Sequence, residues 1–413
     1  MKISRLFIPT VLGLTLVLLV IALPRNITAG APGTTSVNRI TSDLEYTRNA
    51  GTWTIETVDR AGTTGQSTSL ALDSADHPRI SYISYPDGGE LTYARFDGAK
   101  WITETANNAI TWGWHTSLAL DGDGYPHISY YESFYEDLEY AFMDAGGWHT
   151  ETVEWGGDVG YFNSIAIDDN GLPHISYDND GGDLAYAHFD GENWNKEIVD
   201  WLFPGVLGEG NSLALDATGR PHISYTDWSY QDLKYAHFDG VDWIKETVDN
   251  LTGIGTSTSL ALDGSGLPHI SYYDRDTTSL KYAYFDGKTW ISETVGSAGD
   301  NGYYTSLALD TAGHPHISYY DSNVYDPSND DLKYAYHDGT KWVTETVDSL
   351  GDVGMYNSLA LDAAGNPHIS YYDYTNQDLK YAYLQGEKPT TTPSPTDPPP
   401  TFSNKIFLPV ITR

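Results

Sequence analysis

Residues 259–295 read SLALDGSGLPHISYYDRDTTSLKYAYFDGKTWISETV, and this stretch decides the fold. Its opening motif recurs at Ser69, Ser117, Ser164, Ser212, Ser259, Ser306 and Ser358, at spacings of 48, 47, 48, 47, 47 and 52 residues. A fixed period of this size belongs to solenoids, propellers and arrays, in which one unit cannot bury its apolar face without its neighbours. One closed array then absorbs most of the 413 residues, where length alone would suggest two or three domains.

Within the unit, SLALD puts Leu260 and Leu262 on one face and Ala261 on the other, as a half-buried strand requires. HISYY and LKYAYF follow the same alternation. W-x-x-E-T-V carries Trp290, Ile291 and Val295 among polar neighbours and reads as a more exposed edge strand. The first two strands are joined by D-x-x-G-x-P, seen at Asp216–Pro221, Asp263–Pro268, Asp310–Pro315 and Asp362–Pro367. Aspartate bonds its own backbone there, glycine accepts positive φ and proline tolerates a strand edge. Phe-Asp-Gly, as at Phe238–Gly240 and Phe285–Gly287, turns the third strand into the fourth. Four antiparallel strands repeated seven times predict an all-β fold, a seven-bladed β-propeller. Its closure is also written in the chain. The last repeat stops at Leu379–Gly386 without its fourth strand, whereas an orphan copy, Trp53–Val58, precedes the first repeat. The N-terminal strand is therefore expected to complete the last blade; Asp43–Tyr46, a further copy of the third strand, has no slot in this scheme.

The motif S-L-A-L-D-x-x-G-x-P-H-I-S-Y resembles the inner hairpin of seven-bladed propellers built from NHL-type repeats, of an exported bacterial type, and more distantly that of Asp-box propellers. The resemblance covers Leu44–Gly386 and implies architecture rather than activity, because such families include binding scaffolds, lyases and hydrolases.

The ends suggest export. Lys2 and Arg5 precede an apolar run from Leu6 to Leu23, followed by Ala29, Gly30 and Ala31, so residues 1–31 read as a signal peptide or, given the 18-residue run, a membrane anchor. Residues 32–42 form a linker, 43–387 the propeller, 388–403 a Pro/Thr-rich spacer and 404–413 a short tail resembling terminal tags of exported bacterial surface proteins. The expected location is extracellular or at the cell surface. With 57 acidic against 22 basic residues, the formal charge of −35 argues against nucleic acid and against membrane association beyond the N-terminal segment. Cysteine is absent, which excludes disulfides and thiolate chemistry.

Comparing the seven copies separates scaffold from candidate function. The turns between strands one and two and between three and four hardly vary. The two-to-three and four-to-one connections vary, and in an antiparallel blade both lie on one face, the expected binding surface. That face is rich in aromatics, which suit the C–H faces of sugar rings or the anchors of a protein partner. The candidate ligand-binding residues are Trp112, Trp114, His115, Glu132, Trp155, Trp201, Trp228, Tyr230, Tyr304 and Tyr356. Six carboxylates end the second strands (Glu132, Asp178, Asp227, Asp274, Asp321, Asp373); they could take calcium, or cap their own turns. Apart from calcium no cofactor is expected. The histidines that open the second strands (His127, His174, His222, His269, His316, His368) repeat too often for catalysis and read as structural. Lysines such as Lys234 and Lys281 are expected to pair across strands with glutamates such as Glu246 and Glu293. A sialidase is disfavoured, because only Arg48, Arg60, Arg79, Arg95, Arg220 and Arg275 lie in the propeller. The reading is a monomeric, non-catalytic exported binding or adhesion propeller for carbohydrate or a surface protein. The alternative is a glycan-acting hydrolase or lyase using carboxylates among Glu132, Glu136, Asp137, Asp158 and Glu209.

Overall fold

The computed structural model describes residues 52–85, 89–108, 113–201, 207–250, 254–296, 302–322 and 330–384, excluding the side chains of 113–114, 207–209 and 254–256. The Asp43–Tyr46 copy, the N-terminal segment and the C-terminal spacer and tail lie outside these residues. The described residues form seven four-stranded antiparallel sheets. Blade one spans Thr63–Asn107, blade two Gly113–Glu154, blade three Tyr161–Asp200, blade four Leu207–Asp249, blade five Ile254–Thr294 and blade six Tyr303–Asp348. Blade seven takes three strands from Val353–Leu384 and its outer strand from Trp53–Asp59. That strand pairs Trp53 with Leu384 and Ile55 with Ala382, the closure the orphan motif predicts.

Each SLALD strand is innermost, and its serine works outside its own blade. The Ser69 hydroxyl accepts the Leu118 N–H at 3.0 Å, Ser117 that of Ile165 at 3.1 Å, and Ser164, Ser212, Ser259, Ser306 and Ser358 repeat the bond to Leu213, Leu260, Leu307, Leu359 and Leu70. The last of these returns to blade one, so the belt is closed. Glycine also lets the start of an inner strand lie against the third strand of the preceding blade: a Cβ on Gly354, at φ 108°, would stand 2.8 Å from the Leu332 Cα in Asp331–His337. Ser212→Ala would strip the acceptor from the buried Leu260 amide and is expected to cost about 1–3 kcal/mol, read from urea unfolding.

Between blades the core is made of Leu, Ile, Tyr and Ala, such as Leu138, Ile175, Tyr177 and Ala187 at the junction of blades two and three. At the rim, each fourth-strand tryptophan meets the preceding blade edge-on: Trp101 lies 5.2 Å from Tyr381, Trp194 5.4 Å from Tyr140 and Trp290 5.3 Å from Tyr235. The fourth strand is thus half-covered rather than a bare edge. The expected lysine–glutamate pairs do not form. Register explains why: Lys234 stands opposite Thr247, while Glu246 stands opposite Tyr235, so the two side chains take opposite faces of the sheet. Glu246 instead accepts the indole N–H of Trp290 at 3.0 Å, and Glu56 that of Trp101 at 2.9 Å.

The repeated histidines are structural, as their repetition suggests. His127 shares a hydrogen bond through Nδ1 with the Tyr140 hydroxyl, and its Nε2 lies 3.5 Å from Asp121; His174, His222, His269, His316 and His368 do the same with their own tyrosine and aspartate. Burial pushes His174 and His222 down to about 4, so both are neutral near pH 7. Arg79 fills the place in blade one and meets Asp73 at 2.5 Å.

Candidate functional site

The second-strand carboxylates serve their own loops and lysines. Glu132 is buried and accepts the N–H groups of Phe134 and Tyr135 at 3.0 and 2.8 Å. Asp227 caps Ser229, and Asp274 caps Asp276. Where the third strand reads LKYA, the lysine reaches back to the same carboxylate: Lys234–Asp227 at 2.7 Å, Lys281–Asp274 and Lys380–Asp373 at 2.8 Å, and Lys333–Asp321 at 3.5 Å. Among the described residues, no group of three or more His, Asp or Glu side chains is placed to hold a metal ion.

Blade three breaks this pattern. Ala185 stands in the lysine position, one Asp178 carboxylate oxygen is buried without a hydrogen-bond partner, and burial beside Asp158 and Asp183 pushes Asp178 up to about 8. Asp158 accepts the Tyr131 hydroxyl at 2.8 Å.

The sequence candidates fall into separate groups. Trp112 lies outside the described residues; Trp114 stands in the inner strand of blade two, its side chain outside the description. Trp155, Trp201 and Tyr230 stand on the variable connections at 75%, 72% and 71% exposure, so they do not pack the loops. Other loop aromatics do pack: Tyr161 lies 4.1 Å from Tyr131 and Tyr303 4.2 Å from Tyr273, ring to ring. Trp228 is half-buried, with the Arg275 guanidinium of blade five 5.2 Å from its ring centroid. His115, Tyr304 and Tyr356 come together with residues not singled out in the sequence, and they do so on the propeller axis.

What brings them there is a bulge in each inner strand. In blade three Tyr161 pairs with Asp178 and Ser164 with Ser176, so two residues, Phe162 and Asn163, oppose Tyr177 alone. The extra residue turns into the left-handed region: φ is 52° at Ser67, 55° at His115, 48° at Phe162, 52° at Tyr304 and 53° at Tyr356, with Gly210 at 118°. Non-glycine residues held there are strained, and such strain gathers at ligand sites. The bulge residue is thereby aimed at the axis. The next residue, a threonine or asparagine, turns sideways and ties two blades together. Thr116 bonds the hydroxyl of Ser81 and donates to the Ser67 carbonyl at 2.7 Å; the Asn163 amide donates to the His115 carbonyl at 2.6 Å.

The result is an axial cavity of about 360 Å³, on the side from which the four-to-one connections enter the inner strands. Its size lies at the lower end of the ~300–1,000 Å³ usual for small-molecule sites. Going round from blade one, the axial positions are Ser67, His115, Phe162, Gly210, Ser257, Tyr304 and Tyr356, over a floor of threonine and asparagine. None of the fourteen described lining residues is an acid, a lysine or an arginine. Burial pushes His115 down to about 4, so it too is neutral near pH 7. Ser67 is 6% exposed, and its hydroxyl has no hydrogen-bond partner. An unpaired buried hydroxyl is costly, which makes it the cavity's most demanding polar group. Phe162 stands out in the sequence as one of the aromatics of the four-to-one connections, though not as a candidate ligand-binding residue, and Ser67 does not stand out at all. The available signal is that the position two before each repeated serine varies from glycine to tyrosine, two residues after a glycine present in all seven copies.

No family model matches the chain, and no curated protein matches it. Solved structures of similar fold include a polysaccharide lyase described as an ulvan lyase, at 13% identity, 80% of this chain and 96% of that chain covered, and a TM-score of 0.55. A protein of unknown function from Dyadobacter fermentans matches at 13% identity, 82% and 98% coverage and a TM-score of 0.51. AofleA from Arthrobotrys oligospora matches at 10% identity, 73% and 91% coverage and a TM-score of 0.50. At these identities the likeness is one of fold.

Proposed function

We propose that this chain is an exported, non-catalytic carbohydrate-binding propeller acting on or near the cell surface, with its ligand held on the variable-connection face. The observation that carries the reading is the axial cavity, where strained aromatic residues and an unpaired hydroxyl converge without a charged group. Aromatic faces beside hydroxyl and amide groups suit the mixed apolar and polar surface of a sugar ring. Exposed Trp155, Trp201 and Tyr230 offer further stacking surface on the same face. The N-terminal basic and apolar run supports export, and the Pro/Thr-rich spacer suits a domain held away from an anchoring surface.

A glycan array probed with the purified protein, with and without a chelator, tests this. Saturable binding without product release, unchanged by the chelator, is the expected result. Loss of binding on chelation would assign calcium a role, and silence across the array would leave a protein partner as the ligand.

A second reading, a glycan-acting hydrolase or lyase, has Asp178 in its favour. A carboxyl kept protonated near neutral pH is what a general acid requires, and one propeller of similar fold is itself described as a polysaccharide lyase. Release of reducing ends or unsaturated sugars that Asp178→Asn abolishes would establish this reading over the first.

A further inference from the structure

The axial cavity is not uniform around its ring. Its aromatic side chains fall in two adjacent pairs, with centroids 4.4 Å apart for His115 and Phe162 and 4.7 Å apart for Tyr304 and Tyr356. The first pair belongs to blades two and three, the second to blades six and seven. Blade one, with Ser67, separates the pairs on one side; blades four and five, with Gly210 and Ser257, separate them on the other. In a closed ring of seven this order sets the pairs opposite each other across the axis. Among the described residues the cavity therefore has two aromatic walls and two low gaps between them. The unpaired hydroxyl of Ser67 stands at one gap.

The charge around this slot is as selective as its shape. The chain carries a formal −35, so an anionic sugar is repelled on approach. Inside, no cation waits for it, because no lysine or arginine is among the described lining residues; Arg79 pairs with Asp73, Arg95 with Glu104 and Arg220 with Asp216, and Arg275 lies over Trp228. A cationic sugar finds no carboxylate among the lining residues. Burying either charge without a partner is unfavourable. A wholly apolar ligand would leave the Ser67 hydroxyl unpaired.

We infer that the cavity is a slot for an uncharged, linear oligosaccharide: one pyranose ring sits between the walls, Ser67 bonds one of its hydroxyls, and the chain leaves through the Ser67 gap and the Gly210–Ser257 gap. This rests on the carbohydrate reading above and narrows it to a ligand class and an orientation.

The test is calorimetric titration of the full chain with cellotriose, xylotriose, mannotriose and laminaritriose, with trigalacturonate as the anionic counterpart. Phe162→Gly and Tyr304→Gly each remove one wall residue. Both should fold, since blade four carries Gly210 at the same position and glycine adopts the required φ without strain; thermal unfolding confirms this. Each is expected to weaken the best neutral trisaccharide by about tenfold or more, and Ser67→Ala to weaken it by about two- to tenfold. Val241→Ser, on an exposed turn of the opposite face, should change nothing. Ser257→Tyr places at one gap a residue the sister blades carry there. It should weaken the trisaccharide while leaving its monosaccharide unit unaffected; a trisaccharide indifferent to it overturns the orientation. Preference for trigalacturonate overturns the ligand class. If neutral sugars bind but both glycine variants bind equally well, while Trp155→Ala or Trp201→Ala abolishes binding, the slot is wrong and the carbohydrate reading stands. Binding of no saccharide at all removes both.

Discussion

A chain lacking residues 1–59 is expected to fail to close its ring and to aggregate. The strand Trp53–Asp59 is the whole outer edge of blade seven, and its register against Asp378–Leu384 is the seam between the two ends of the propeller. Trp53 lies edge-on to Tyr334 at 5.3 Å and donates its indole N–H to Glu345, while Asp59 accepts the Tyr82 hydroxyl of blade one at 2.7 Å. Truncating a tryptophan in such a contact approaches about 3 kcal/mol, and the strand adds a full ladder of backbone bonds. Against a usual total of about 5–15 kcal/mol for a domain, the loss is decisive. It would also expose the Asp378–Leu384 edge to intermolecular pairing. Size-exclusion chromatography and thermal unfolding read the result. A peptide spanning residues 51–60, added in trans, should restore the melting profile of the intact chain by strand addition. An unchanged melting temperature in the truncated chain would show that closure lies elsewhere.

Ala185→Lys is expected to stabilise the protein by about 2–4 kcal/mol at pH 8. In blades four, five and seven a lysine in this position stands 2.7–2.8 Å from the carboxylate that ends strand two, whereas Asp178, half-buried with one carboxylate oxygen fully buried and unbonded, has an alanine in that position. The sign follows from linkage. The ordinary value for Asp is 3.8, and Asp178 is raised in the folded state to about 8. The unfolded chain thus releases this proton first, and stability falls as pH rises from about 4 to about 8. Introducing the ammonium group should remove that slope, and Asp178→Asn should flatten it as well. Urea unfolding at pH 5 and pH 8 measures both; a wild type equally stable at the two values, together with a neutral Ala185→Lys, would contradict the assignment.

The fold was legible because it is periodic. Seven copies of one hydrophobic alternation and two turn chemistries specify a blade, and the misplaced Trp53–Val58 specifies the closure. The histidines could be assigned to scaffold for the same reason. The site was only partly legible. His115, Tyr304 and Tyr356 were recognisable as departures from the repeat, but Phe162 and Ser67 belong with them only because a bulge adds one residue to the inner strand and rotates its side chain to the axis. Strand periodicity assigns faces in steps of two, and a bulge breaks that count; the glycine that stands two residues before the bulge in all seven copies (Gly65, Gly113, Gly160, Gly208, Gly255, Gly302, Gly354) marks the place without stating the shift. Lys234 failed for a related reason. A one-residue difference in register puts it opposite Thr247 rather than Glu246, and composition does not carry register.

The closed serine belt has an evolutionary meaning. Because the hydroxyls of Ser69 through Ser358 and the adjoining threonines and asparagines hold the blades together through backbone groups, the side chain of the bulge residue carries little of that load, Ser257 on the Tyr304 N–H at 3.2 Å being an exception. Serine, histidine, phenylalanine, glycine and tyrosine already occupy it in different blades without altering the strand that carries it. The axis is in effect a seven-letter word whose letters can be exchanged one at a time, so a lineage, or a library built on this chain, could respell its specificity while every blade keeps its grammar.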